Sequence, residues 1–204
     1  MKNLFLTSSF AEVADLFAKS EENHFQGKTV TFIPTASLHE EVTFYVGAGK
    51  EALEKLGLVV DVLEVSTATH EEIIRKLKNN DYIYVTGGNT FFLLQELKRT
   101  KADKAIVEQV VSGKTYIGES AGSIILSPNI EYVKEMDDFK AVQELESYQA
   151  LGLIDFYPLP HYTNFPFQEV TESIVSKCTG KIELHPFSNA QAIWVKEGNI
   201  EVVG

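Results

Sequence analysis

The sequence predicts an α/β fold of the flavodoxin-like kind: a doubly wound, mostly parallel sheet with helices on both faces and a C-terminal β-hairpin. Three observations carry this. Short runs rich in β-branched and aromatic residues alternate with helical patterns along the whole chain. The runs are apolar on both faces, as strands of a helix-covered parallel sheet must be. Finally, the tail reads as two apolar runs joined by Glu197-Gly198-Asn199, a hairpin signal. No repeat, linker or low-complexity stretch interrupts the pattern, and 204 residues suit one domain spanning 1–204.

In chain order, strands are expected at Asn3 to Thr7, Thr29 to Ile33, Val59 to Leu63, Tyr82 to Val85 and Thr115 to Gly118. Gln191 to Val195 and Ile200 to Val203 form the hairpin. Between the second and third strands, Val42, Tyr45, Val46, Leu53 and Leu56 fall on one helical face, and Gly57 follows as a C-cap. Thr69 precedes Glu71, Glu72 and the apolar Ile73, Ile74 and Leu77, the signature of a capped amphipathic helix. Phe91, Leu94, Gln95 and Leu97 begin another helix after a glycine turn. In such sheets ligands bind beyond the carboxyl ends of the strands, so the loops after Ile33, Val85, Ile117 and near Tyr157 are where chemistry is expected.

Composition narrows the function. With 18 basic and 29 acidic side chains the formal net charge is -11, which argues against nucleic acid and against an anionic membrane surface as partners. Cys178 is the only cysteine, so neither an intrachain disulfide nor a metal-binding cysteine cluster can form. The N-terminal apolar run is too short for a signal-peptide core, and no stretch reaches a membrane-span length. These facts lead to the expectation of a cytoplasmic enzyme or binding protein, with a homodimer left open as its assembly.

Three segments carry chemistry. Gly118-Glu119-Ser120-Ala121-Gly122 follows a strand and precedes an apolar helical run, matching G-x-S-x-G. A serine on that tight turn projects its hydroxyl above the sheet, and the Ala121 N–H at the new helix start can face an oxyanion. Otherwise Ser120 is simply a helix cap. Thr86-Gly87-Gly88-Asn89-Thr90 ends another strand, and a glycine N–H there can supply a second oxyanion donor. A phosphate cradle is the weaker reading, since neither G-x-G-x-x-G nor a P-loop lysine is present; a structural turn is the third. Pro160-His161-Tyr162 provides the base: of five histidines, only His161 follows an apolar run in a proline-bracketed loop. An acid should orient it, and the stretch Glu131 to Asp138 offers Glu131, Glu135, Asp137 and Asp138.

Taken together these segments resemble the serine peptidase family that includes peptidase E, a cytoplasmic aspartyl dipeptidase, and cyanophycinase. The likeness also takes in the opening Leu4-Phe5-Leu6-Thr7-Ser8-Ser9 run, Gly87 to Phe91, Pro160 to Asn164 and the closing Gln191-Ala192-Ile193. It implies a class I glutamine amidotransferase-like fold, with Ser120 as nucleophile, His161 as base and the amides of Gly88 and Ala121 as oxyanion hole. Asn89 is assigned to the same oxyanion and substrate-binding loop. An ungapped match from the elbow puts Glu135 in the place of the triad acid, with Asp137 and Asp138 behind it. No metal or organic cofactor is implied.

Peptidase E carries an arginine-containing segment after its histidine, whereas Asn164 to Val170 here has none. An acidic side chain bound without a cation would be costly, so Asp-X cleavage is not expected. Phe165 and Phe167 are candidates for an apolar or aromatic pocket, or else for core packing. The expected activity is dipeptidase-like hydrolysis of short peptides. An α/β-hydrolase esterase fits less well, because it is usually larger and places its histidine nearer the C-terminus. The rival from another class is a non-catalytic small-molecule binding protein on the same fold.

Overall fold

The computed structural model describes residues 2–20, 24–139, 142 and 145–204. Seven strands form one sheet: β1 (Asn3–Thr7), β2 (Thr29–Ile33), β3 (Val59–Val62), β4 (Tyr82–Val85), β5 (Thr115–Glu119), β8 (Ala192–Lys196) and β9 (Asn199–Val203). Their order is β3-β2-β4-β5-β1-β8-β9. The first five are mutually parallel, while β8 and β9 run antiparallel as the expected hairpin. A separate parallel pair, β6 (Tyr157–Leu159) and β7 (Leu184–Pro186), was not expected from the sequence.

Alternate side chains of the sheet enter two cores. On one face Phe5, Phe32, Tyr84 and Ile117 pack against Phe10, Val13 and Phe17 of α1 (Phe10–Ser20) and Leu53 of α2 (Phe44–Lys55). On the other, Leu4, Leu6, Ile83, Val85 and Tyr116 meet α3 (His70–Asn79), α4 (Thr90–Thr100), α5 (Ala102–Val111) and the short α6 (Ala121–Ile124). A further helix, α7 (Gln168–Cys178), adds Ile174 to that second core. The doubly wound, three-layer expectation holds, and no described helix is long and apolar enough to cross a membrane.

Local signals hold with two corrections. The Thr69 hydroxyl accepts from Glu72 N at 3.2 Å and caps α3. Gly57 has φ 96 just past α2, as a glycine that stops a helix should. However, Val42 lies outside α2 and is 59% exposed, and of the proposed apolar face only Leu53 is fully buried. Ile74 is likewise exposed, because only Ile73 and Leu77 of α3 point at the sheet.

The chain changes direction between β2 and β4: β2 leads outward to β3, and β4 leads inward to β5. At the carboxyl ends there, the two following loops touch, with Asn89 N donating to Ala36 O at 2.8 Å. This is the crevice in which an open α/β sheet places its ligands. Because β8 runs antiparallel to β1, pairing Ala192 with Thr7, the loop leading into β8 arrives at the same edge.

Candidate active site

Ser120 sits between β5 and α6 with φ 49 and ψ -108, a conformation that L residues adopt only when the surroundings enforce it. The enforcement is visible. Ser120 N donates to Thr7 O at 2.8 Å, and the Ser123 hydroxyl lies within 3.0 Å of both Thr7 and Gly118 backbone atoms. The turn is also too crowded for a side chain at Gly122, where a Cβ would stand 2.1 Å from Val85 O. The hydroxyl of Ser120 is thereby presented outward from the sheet, as the G-x-S-x-G spacing anticipates.

His161 meets it. Its Nε2 lies 2.9 Å from Ser120 Oγ. The histidine also has positive φ (62), and its N–H donates to Ser8 Oγ at 2.9 Å. Its ring stacks on Phe167 with centroids 4.7 Å apart. Burial holds the imidazole pKa below its usual value, opposed by its bond to Asn189 and by the charge of Glu12. A neutral ring near pH 7 can accept a proton.

The partner of His161 is Asn189, whose Oδ1 lies 2.8 Å from Nδ1. The amide orientation follows from chemistry: Asn189 Nδ2 donates to Glu12 Oε1 at 3.2 Å, and a carboxylate can only accept. Asn189 Oδ1 therefore faces the ring, so Nδ1 carries the hydrogen and Nε2 is left to accept from the serine. Ser8 ties both arms together, since its hydroxyl also reaches Ser188 O at 3.1 Å. Asn164 completes the frame, its Oδ1 accepting from Asn189 N at 2.9 Å.

This corrects the expected acid. Glu135 is half-exposed and pairs with Lys177 and Ser173 on the outer side of α7, not with His161. Asp137 accepts from Thr90 N at 2.8 Å and so anchors the start of α4, where a negative group is favoured. Burial raises its pKa to about 6 against the pull of that N–H. Asp138 contributes its backbone carbonyl to Asn89 Nδ2 at 3.1 Å. Glu131 pairs with Lys134. None of the four is a hydrogen-bond partner of His161. Sequence reasoning missed Asn189 and Glu12; the polar turn Ser188 to Gln191 directly before the antiparallel strand β8 was the available signal for Asn189.

The glycine loop after β4 lies across from the elbow. Gly88 has φ 129, and a Cβ there would stand 2.2 Å from Ala36 O, so only glycine fits. A Cβ on Gly87 would reach Ser120 Cβ at 3.2 Å, which places this loop against the nucleophile. Ala121 N opens α6, where the first amides have no intrahelical acceptor. Among the described residues neither Gly88 N nor Ala121 N donates a backbone hydrogen bond. Asn89 departs from its expected role: its Oδ1 caps α4 by accepting from Phe91 N and Phe92 N at 3.0 and 2.9 Å. Tyr45 leans on the same loop, and burial together with Glu40, Glu119 and Asp137 keeps its hydroxyl protonated. Phe165 is 94% exposed, which excludes core packing for it. No group of three or more His, Cys, Asp or Glu able to hold a metal occurs among the described residues.

Comparison with known proteins shows the family. The model of peptidase family S51 matches residues 4–203. An uncharacterised peptidase of Listeria monocytogenes is 60% identical over 196 residues, covering 96% of this chain and 95% of its own. Another from Pasteurella multocida is 51% identical over 195 residues, covering 96% and 94%. A peptidase E of a Nostoc species is 32% identical over 169 residues, covering 80% of this chain and 66% of its own. A solved structure of a candidate peptidase E protein from Listeria monocytogenes superimposes with TM-score 0.96 at 57% identity, over 100% of this chain and 98% of that one. The chain belongs to peptidase family S51 and is a serine-type peptidase.

Proposed function

We propose that this chain hydrolyses short peptides through an acyl-enzyme, with Ser120 as nucleophile, His161 as general base and Asn189 holding the imidazole. The observation that carries this reading is the 2.9 Å contact between His161 Nε2 and the hydroxyl of the strained Ser120. His161 takes the Ser120 proton as Oγ attacks the carbonyl carbon, and the carbonyl electrons move onto oxygen. The Gly88 and Ala121 amides receive that oxyanion; one such donor is typically worth about 3 kcal/mol. The protonated His161 then gives its proton to the leaving amine. Water enters by the same route in reverse and releases the acid.

The surroundings disfavour an acidic substrate side chain. Glu40 and Asp137 both act on Tyr45 as acids, and no arginine follows His161. Phe167, stacked on the His161 ring, offers an apolar contact instead. The expected substrates are therefore short peptides with uncharged residues at the cleaved bond, rather than Asp-X dipeptides.

A dipeptide-library digest of wild type and Ser120→Ala tests the mechanism. Turnover should fall by roughly four orders of magnitude or more in the variant, with the thermal midpoint nearly unchanged. Cleavage retained in Ser120→Ala would overturn it.

A further inference from the structure

The pairing of His161 with Asn189 has a weakness that a histidine–carboxylate pair lacks. The two oxygens of a carboxylate are alike, so either accepts from an imidazole N–H. A primary amide is two-sided: its oxygen accepts and its NH2 only donates. Turned one way, Asn189 accepts from Nδ1–H and leaves Nε2 free for the Ser120 proton. Turned the other way, it donates to Nδ1 and puts the ring hydrogen on Nε2, facing the nucleophile. The wrong tautomer is costly: an asparagine in place of the triad aspartate of a serine protease lowers kcat by about four orders of magnitude. An asparagine that orients a catalytic imidazole therefore needs a residue that orients the asparagine.

Two contacts of the Asn189 amide bear on that choice among the described residues. Oδ1 lies 2.8 Å from His161 Nδ1, a place that the NH2 would fill equally well. Nδ2 donates to Glu12 Oε1 at 3.2 Å, and a carboxylate facing the amide oxygen would repel it. The other bonds of the turn place residue 189 but are indifferent to a half-turn of its amide: Asn189 N donates to Asn164 Oδ1, and Ser188 N donates to Gln191 Oε1. Glu12 is what distinguishes the two orientations.

The position of Glu12 is itself held. It stands exposed in the first turn of α1, and among the described residues its side chain has Asn189 as its one hydrogen-bond partner and no ion pair. Phe10 N, two residues earlier, donates to Glu119 Oε1 at 3.0 Å, which fixes the start of α1 to the residue before the nucleophile. Ser8 Oγ accepts from His161 N at 2.9 Å and reaches Ser188 O at 3.1 Å. The short passage from Ser8 to Glu12 thus touches the histidine loop, the turn before Asn189 and the amide itself. An acid in a first turn also suits the helix dipole. The contact with an amide 177 residues away is what gives this one a task at the site.

We propose that Glu12 is a positioning residue: it fixes the Asn189 amide with its oxygen toward His161 and so keeps Nε2 free to take the proton of Ser120. This rests on the acyl-transfer reading of Ser120 and His161.

The test compares wild type, Glu12→Ala, Glu12→Gln, Asn189→Asp, the double variant Glu12→Ala/Asn189→Asp and Ser120→Ala at pH 8.5, above the ordinary histidine pKa of about 6.5. The rate and end-point of fluorophosphonate labelling are read by intact mass, beside the thermal midpoint. Glu12→Gln keeps an acceptor oxygen and Glu12→Ala removes it, whereas Asn189→Asp supplies two equivalent oxygens that need no orienting. Glu12→Ala should lower the labelling rate about tenfold, with one adduct per chain still reached and the midpoint nearly unchanged; Glu12→Gln should stay within about threefold of wild type. In the Asn189→Asp background the effect should vanish or reverse: Glu12→Ala should leave the rate within about twofold or raise it, since two carboxylates no longer repel. A merely structural role for Glu12 predicts the same loss in both backgrounds, and that result overturns the proposal, as does a Glu12→Ala rate equal to wild type. Should Asn189→Asp fail to fold, equal losses in Glu12→Ala and Glu12→Gln overturn it and rescue by Glu12→Gln supports it. Labelling of Ser120→Ala would instead remove the acyl-transfer reading, and this proposal with it, which separates the two failures.

Discussion

The hydrogen on His161 Nδ1 is held by an uncharged amide, and that choice sets the electrostatics of the site. An asparagine fixes the tautomer but offers no counter-charge to the imidazolium formed during turnover. Burial already keeps the His161 pKa below its usual value. The neutral, active base is therefore present above that lowered pKa, and kcat/KM should rise with pH through it. Asn189→Asp adds a negative charge that favours the protonated ring, so the rising limb should move to higher pH. An unmoved limb in a pH–rate profile would show that Asn189 does not act on the base. Asn189→Ala, which leaves Nδ1–H without its acceptor, should cost about a hundredfold in kcat. At this scale Ser120 and His161 were legible, because each stands in a short local pattern. Asn189 was not: an orienting group is defined by proximity in space, and the carboxylates between Ser120 and His161 diverted attention to Glu135, whose place is beside Lys177.

The elbow is an element whose backbone is held on several sides. Thr7 and Ser123 bind it to β1, the buried Tyr116 hydroxyl donates to Gly122 O at 2.7 Å, and Val85 O fills the space beside Gly122. Gly122→Ala should cost about 3 kcal/mol or more, because backbone rather than a flexible side chain must yield. Urea unfolding of the variant measures this, and a loss under about 1 kcal/mol would mean that the turn relaxes freely. Most strands were readable because each run is apolar on both faces, which is what burial between two helical layers requires. The β6–β7 pair escaped notice for a physical reason: Tyr157-Pro158-Leu159 and Leu184-His185-Pro186 are three residues each, and each contains a proline that cannot donate to a ladder. The start of α2 was misjudged because Val42 is apolar yet exposed, so periodicity alone extended the helix.

Across the whole molecule, a net charge of -11 and the carboxylates near Tyr45 act in the same direction. A peptide with an acidic side chain should be turned over more slowly than its neutral isostere, through a higher KM. Raising salt from 50 to 500 mM, numbers chosen to take the Debye length from about 14 to about 4 Å, should narrow the gap. An acidic peptide that outperforms the neutral one would point to a cation at the site that this reading lacks. The central claim, that Ser120 is an activated nucleophile, is tested most directly by intact-mass analysis after fluorophosphonate treatment. The expected result is a single adduct on wild type, formed as Ser120 Oγ bonds to phosphorus and fluoride leaves, mapped to Ser120 and absent from Ser120→Ala. An adduct that persists in Ser120→Ala, or a wild type that cleaves peptides yet never labels, would contradict it.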